Sequence, residues 1–177
     1  MNLLVQFVAE LGGDETVRRI FEAAEVEAQE YRFEQVYPEE EFGALVAAGL
    51  EVLDVDVPTL EREFAEYFMR VSPELFPAIF ELSGDARTLL KRIPTLHRSI
   101  PSAANRAAYR DKLFVEDCGE GGIRMRYDSP HRLCGFLKHL TRLTLEYYGE
   151  AGDVHEVECS RDGKSACVVE VTFDKAA

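Results

Sequence analysis

Leu4, Phe7, Val8 and Leu11 recur at three- and four-residue spacing and stop at Gly12-Gly13, which predicts a short amphipathic helix ended by glycine. Asp14 is placed to cap a second helix carrying Val17, Ile20, Phe21 and Ala24 on one face. Tyr37-Pro38 punctuates the chain, and Phe42, Leu45, Val46, Gly49 and Leu50 then mark a helix face that ends near Leu53. Pro58 starts another helix with a largely aromatic stripe at Leu60, Phe64, Tyr67, Phe68 and Val71. A stripe at that spacing is a core-facing surface first and a cavity wall second. Ser72-Pro73 reads as the opening of a short helix through Phe76, Ile79, Phe80 and Leu82, closed by Ser83-Gly84. Asp85 caps the segment Thr88 to Ile93 that leads into His97.

After Pro101 the character changes. Residues 105–110 form a polar connector, and Lys112 to Glu116 and Ile123 to Tyr127 read as two strands around Gly119-Glu120-Gly121-Gly122. Leu133 to Tyr148 is an amphipathic helix ending at Gly149. Val154 to Cys159 and Ala166 to Phe173 make a final hairpin about Arg161-Asp162-Gly163-Lys164, a strong turn signal. The expected fold class is α+β, a helical N-terminal half followed by a mainly antiparallel sheet with helices. No internal repeat, low-complexity segment or flexible linker interrupts it, so the 177 residues are expected to form one domain, 1–177.

Charge narrows the partners. The formal net charge of -13 repels nucleic acid and anionic membrane surfaces alike. The acidic clusters at Glu22 to Glu41 and Glu61 to Glu66 read as solvated helix faces. No run of ~18 apolar residues could span a bilayer, and Met1 to Phe7 carries no basic region before its apolar stretch. The expected location is cytoplasmic. Four cysteines in such a compartment favour metal, redox or core roles over structural disulfides. No paired catalytic carboxylates, nucleophile motif or phosphate loop points to an enzyme.

Two stretches carry candidate chemistry. Ile93-Pro94-Thr95-Leu96-His97-Arg98-Ser99-Ile100-Pro101 holds a single histidine just inside a short helix bracketed by prolines, whose fixed φ would orient an axial metal ligand. Arg126-Tyr127-Asp128-Ser129-Pro130-His131-Arg132 enters a helix from a strand with hydroxyls at alternating positions and basic side chains behind, a cluster shaped for anionic oxygens. Together with Asp14 to Val26, Tyr37-Pro38 through Glu51-Val52-Leu53, Phe64 to Phe68 and Ser83-Gly84-Asp85, these motifs resemble the heme nitric oxide/oxygen binding (H-NOX) family over nearly the whole chain.

The resemblance implies a bacterial heme-based sensor of nitric oxide that signals to a separate partner, a histidine kinase or a cyclic-dinucleotide enzyme. It makes His97 the axial ligand of heme b. Tyr127, Ser129 and the basic pair His131 and Arg132 become the propionate site, with His131 standing where the family motif has arginine. The family's proline-rich stretch is replaced here by Arg106-Ala107-Ala108-Tyr109-Arg110. Phe136 occupies the position of the tyrosine that separates oxygen binders from NO binders; without a donor there, NO and CO are the expected ligands. Some family members also hold zinc near the C-terminus, and Cys134, Cys159 and Cys167 fall at the spacing of those ligands, with His155 adjacent to the fourth position at Glu156. On the residues alone, a two-residue turn at Asp162-Gly163 pairs Cys159 with Ala166 and sends Cys167 to the other face, whereas a bulge restores the cluster. Zinc or a redox-sensitive thiol cluster is one reading and buried free cysteines the other, with Cys118 unrelated. The alternative function is a heme-independent redox or zinc-responsive regulatory module of the same fold.

Overall fold

A computed structural model describes residues 2–32, 35, 37–99, 112–119 and 121–174, with Arg98 and Ser99 described by their backbone alone. The expected connector 105–110, Arg106 to Arg110 and Pro101 lie outside the described residues. The chain divides into two compact units, Met1–Phe64 and Ala65–Ala177.

In the first unit, helix α1 (Asn2–Ala23) is two helical runs joined at Gly13, whose φ of 73° and ψ of 179° break the helical path. Such a φ is strained for any residue with a Cβ, so the glycine stop expected from the sequence is a kink. Leu3, Phe7 and Val8 are buried on one side of it and Ile20 and Phe21 on the other. Helix α2 (Glu39–Leu53) buries Leu45, Ala48 and Gly49 and ends at Asp54, which turns left-handed and donates its N–H to the Glu51 and Leu50 carbonyls. A Cβ on Gly49 would lie 3.9 Å from Ile20 Cδ1, a close approach of α2 to α1. Tyr31 stacks on Phe21 and donates its hydroxyl to Glu41. Burial, reinforced by that carboxylate, raises the Tyr31 pKa well above its ordinary value.

Helix α3 (Val57–Leu75) runs straight through Ser72-Pro73, so these residues do not open a new helix. Pro73 lies within the last turn and forfeits the bond its N–H would give to the Met69 carbonyl, yet the helix runs on to Leu75; the break comes at Phe76 (φ −131°, ψ 51°), held out of helical conformation by Pro77 at the first turn of α4 (Pro77–Ser83). Leu82, expected on the inner face of that helix, is 73% exposed. Gly84 caps α4 with φ 72°. Helix α5 (Ala86–Ser99) then starts as expected from Asp85, whose carboxylate accepts the Thr88 N–H at 2.6 Å and the Thr88 hydroxyl at 2.9 Å. It continues through Pro94, so His97 lies in the last turn of a 14-residue helix rather than in a short helix between two prolines.

Strands β1 (Leu113–Cys118), β2 (Gly122–Tyr127), β3 (Gly152–Glu158) and β4 (Cys167–Phe173) form one sheet in the order β1-β2-β4-β3, each pair antiparallel. Helix α6 (Cys134–Tyr148) joins β2 to β3. Alternation along β2 and β4 sends Ile123, Met125, Val169 and Val171 to one face, where they bury completely with Ala86 and Leu90 of α5 and Leu145 of α6. The opposite face carries Arg124, paired with Glu170 at 2.6 Å, and exposed Phe114. The α+β class with an antiparallel sheet is therefore the observed architecture. Among the described residues no helix is long and apolar enough to cross a membrane.

Candidate functional site

Helix α5 presents Leu90, Ile93 and His97 at three- and four-residue steps, so the three side chains share one face. Leu90 is 1% exposed, Ile93 packs against the same core, and His97 is half-buried one turn further on. Burial pushes the His97 imidazole below its ordinary pKa of 6.5. The ring is thus neutral near pH 7 and keeps a nitrogen lone pair.

The N-terminal half of α5 is tied down. The Ala86 N–H donates to Glu150 at 2.9 Å, and Arg87 and Lys91 both reach Asp117 of β1, at 2.6 and 2.8 Å. These cations hold the Asp117 carboxyl below the usual range. Pro94 lacks the N–H that would bond the Leu90 carbonyl, so the last turn, with His97, is joined to the rest by a weakened ladder.

Tyr127 ends β2 opposite Cys167, on the core face; its half-buried ring packs against the cysteine cluster and against the core that Ile93 touches. The chain then turns. Asp128 donates its N–H to the Lys112 carbonyl at 2.8 Å, the His131 N–H reaches the Ser129 hydroxyl at 3.4 Å, and the Arg132 N–H reaches the Ser129 carbonyl at 3.1 Å. Arg132 adopts φ 48°, its side chain exposed, and its carbonyl accepts from Arg161 at 2.8 Å. Tyr127, Ser129, His131 and Arg132 therefore occupy one strand end and the turn that follows it. Phe136, in the first turn of α6, meets Phe68 of α3 edge to face, with centroids 5.8 Å apart.

The three C-terminal cysteines come together. Between β3 and β4 the register shifts from Glu156 opposite Val169 to Glu158 opposite Val168, leaving Val157 as the extra residue of a bulge. One step further brings Cys159 opposite Cys167 on the core face. Cys134, Cys159 and Cys167 are buried with their sulfurs within 4.8 Å of one another. Cys134 and Cys167 form a disulfide, with Cα atoms 6.1 Å apart, and Cys159 is a free thiol. A three-thiolate metal set requires reduction of that bond. His155 does not join the cluster: it pairs with Glu170 on the outer face, whereas Glu156 falls on the cysteine side, beside Cys159 and Asp162. Cys118 lies at the far end of β1, away from the cluster.

One residue escaped the sequence reading. Ser72, taken there as a helix opening, is 1% exposed within α3, and its Oγ is the buried side-chain polar atom among the described residues that has no hydrogen-bond partner. The available signal was a hydroxyl one turn beyond Phe68 on an apolar helical stripe.

A family model described as Haem-NO-binding matches residues 1–156. No curated protein matches the chain in sequence. Among solved structures, the chain is similar to an H-NOX protein from S. oneidensis in the Fe(II)NO ligation state, at 15% identity and a TM-score of 0.76, over 99% of this chain and 100% of that one. It is also similar to an oxygen-binding H-NOX domain related to soluble guanylate cyclases, in its oxygen complex, at 17% identity and a TM-score of 0.77, over 98% and 92% of the two chains. A third similar structure, described by its porphyrin distortion and heme redox potential, gives 19% identity and a TM-score of 0.79 over 99% and 93%.

Proposed function

The chain belongs to the Haem-NO-binding (H-NOX) family of heme-based gas sensors, and from that premise we propose that it binds heme b through His97, takes nitric oxide as its signal and acts on a separate protein in the bacterial cytoplasm. The observation that carries this reading is His97 itself, a neutral imidazole held on the buried face of a helix whose last turn is loosened by Pro94. The residues present fit the group: a histidine lone pair, a turn bearing Tyr127, Ser129, His131 and Arg132 for the propionates, and a buried hydroxyl at Ser72 with no partner in the protein. Heme, when bound, supplies an iron that takes a diatomic ligand.

His97 would hold the group through its nitrogen lone pair, and Arg132 would offer a propionate a permanent charge, which His131 does not reproduce. Phe136 offers no hydrogen bond, which disfavours a long-lived O2 complex and leaves NO and CO as ligands. With His97 as the group's ligand, the turn beyond Pro94 would be the part of α5 able to shift, because the preceding turns are fastened by Asp85, Glu150 and Asp117. Movement of that last turn is what a partner reads, either a histidine kinase or a cyclic-dinucleotide enzyme, as a two-state element biased by ligand. The test is the absorption spectrum of protein expressed with ample heme. A Soret band that moves on adding NO is the expected result, and a colourless protein refutes the reading.

The cysteine cluster favours a second reading, a heme-independent module that responds to thiol redox state or zinc. Its observation is the Cys134–Cys167 disulfide with the Cys159 thiol beside it. A colourless protein whose thermal stability follows reduction or zinc would select this reading.

A further inference from the structure

Ser72 lies four residues after Phe68 on α3, so both side chains leave the same face of the helix. Phe68 rests edge-on against Phe136, the position that lacks a donor. The Ser72 hydroxyl is buried and unpartnered. Other buried helical hydroxyls in this chain behave differently: Ser83, Thr141 and Thr144 each donate to the carbonyl four residues earlier, at 2.7, 2.8 and 2.8 Å. Ser72 has not taken the same local solution. A hydroxyl removed from water and left unpaired is unfavourable, and native proteins rarely keep one without a partner that comes from outside the chain.

We propose that Ser72 donates its Oγ–H to the small ligand bound at this site, supplying from α3 the hydrogen bond that Phe136 withholds on α6. This rests on the heme reading above. A single neutral hydroxyl polarises the bound ligand and slows its escape without making the O2 complex long-lived.

The experiment compares wild type with Ser72→Ala, using carbon monoxide and oxygen as probes. Heme uptake is read first, from the Soret band. If wild type takes up no heme, the heme reading falls and the serine proposal falls with it. With heme bound in both proteins, the C–O stretch of the ferrous CO complex moves to higher wavenumber in Ser72→Ala. Oxygen leaves about fivefold faster after flash photolysis, the factor expected for one ordinary neutral hydrogen bond. In heme-free protein, Ser72→Ala melts no lower than wild type, because the hydroxyl has no partner there to lose. An unchanged CO band in heme-loaded protein, or a heme-free variant that melts lower than wild type, overturns the proposal and leaves the heme reading standing.

Discussion

Replacing Leu90 by alanine tests whether α5 is seated as described. Leu90 is 1% exposed and packs, with Ala86, on Ile123, Met125, Val169 and Val171 of the sheet. Leu→Ala removes three carbons, roughly 2.4 kcal/mol of transfer free energy at ~0.8 kcal/mol per methylene. The cavity left between helix and sheet raises the total to about 3–4 kcal/mol. That is a large part of the roughly 5–15 kcal/mol by which domains are stable. Urea unfolding reads it as a fall in midpoint at unchanged slope. Leu82→Ala, at a site 73% exposed, is the control and should shift stability by less than about 0.5 kcal/mol. Leu90→Met, which conserves volume, should cost less than about 1.5 kcal/mol. If Leu90→Ala costs no more than Leu82→Ala, the Leu90 face of α5 does not lie on the sheet. The burial of His97, assigned to that face by the same spacing, would then be wrong as well.

His97→Gly should lose the heme spectrum and regain it with added imidazole; a wild-type spectrum without imidazole means another residue ligates the iron. Burial lowers the folded pKa of His97 below 6.5, so the unfolded chain binds the proton first on acidification. The stability from this group is present above about pH 6.5 and is lost as pH falls through the folded value. In heme-free protein, melting temperature should therefore drop between about pH 7 and pH 5, and less so in His97→Gln; equal drops refute the buried imidazole. Asp85→Ala should cost about 1 kcal/mol through loss of the α5 cap, measured by urea midpoint, and no change would mean the Thr88 contacts are not made in solution. Under the cysteine reading, reduced protein should carry about one zinc per chain and lose it on peroxide treatment or in Cys159→Ser. Metal analysis that finds no zinc in reduced protein leaves the cluster a thiol–disulfide pair.

Periodicity made most of the elements legible, because a face buried against one neighbour repeats at the period of its own backbone. The kink at Gly13, the cap at Asp85, the end of α6 at Gly149 and the four strands all follow from local signals of this kind. The segment around Ser72-Pro73 did not. Proline removes one i→i−4 hydrogen bond, and α3 runs on to Leu75 despite losing the bond that an N–H at position 73 would give to Met69. The same applies to Pro94, which weakens α5 without ending it. A proline in the sequence therefore marks a loss of one hydrogen bond, and whether the helix survives depends on burial of the residues around it.

The site shows a sharper limit, since it depends on which residues share a face across two strands. Local pattern puts Cys159 near the end of one arm and Cys167 at the start of the other, but a regular ladder and a bulged one place their sulfurs on opposite or identical sides. The bulge at Val157 decides it: the valine is taken out of register, Cys159 returns to the core face, and Glu156 stays there too. His155 is carried outward by the same alternation, to Glu170. Histidine is the better zinc ligand by chemistry, yet the carboxylate beside it is the one that lies near the Cys159 thiol. Residue type and strand parity thus point to different candidates for a fourth ligand, His155 and Glu156. Glu156→Gln should lower zinc retention in reduced protein more than His155→Ala, and the reverse order would return the ligand to His155.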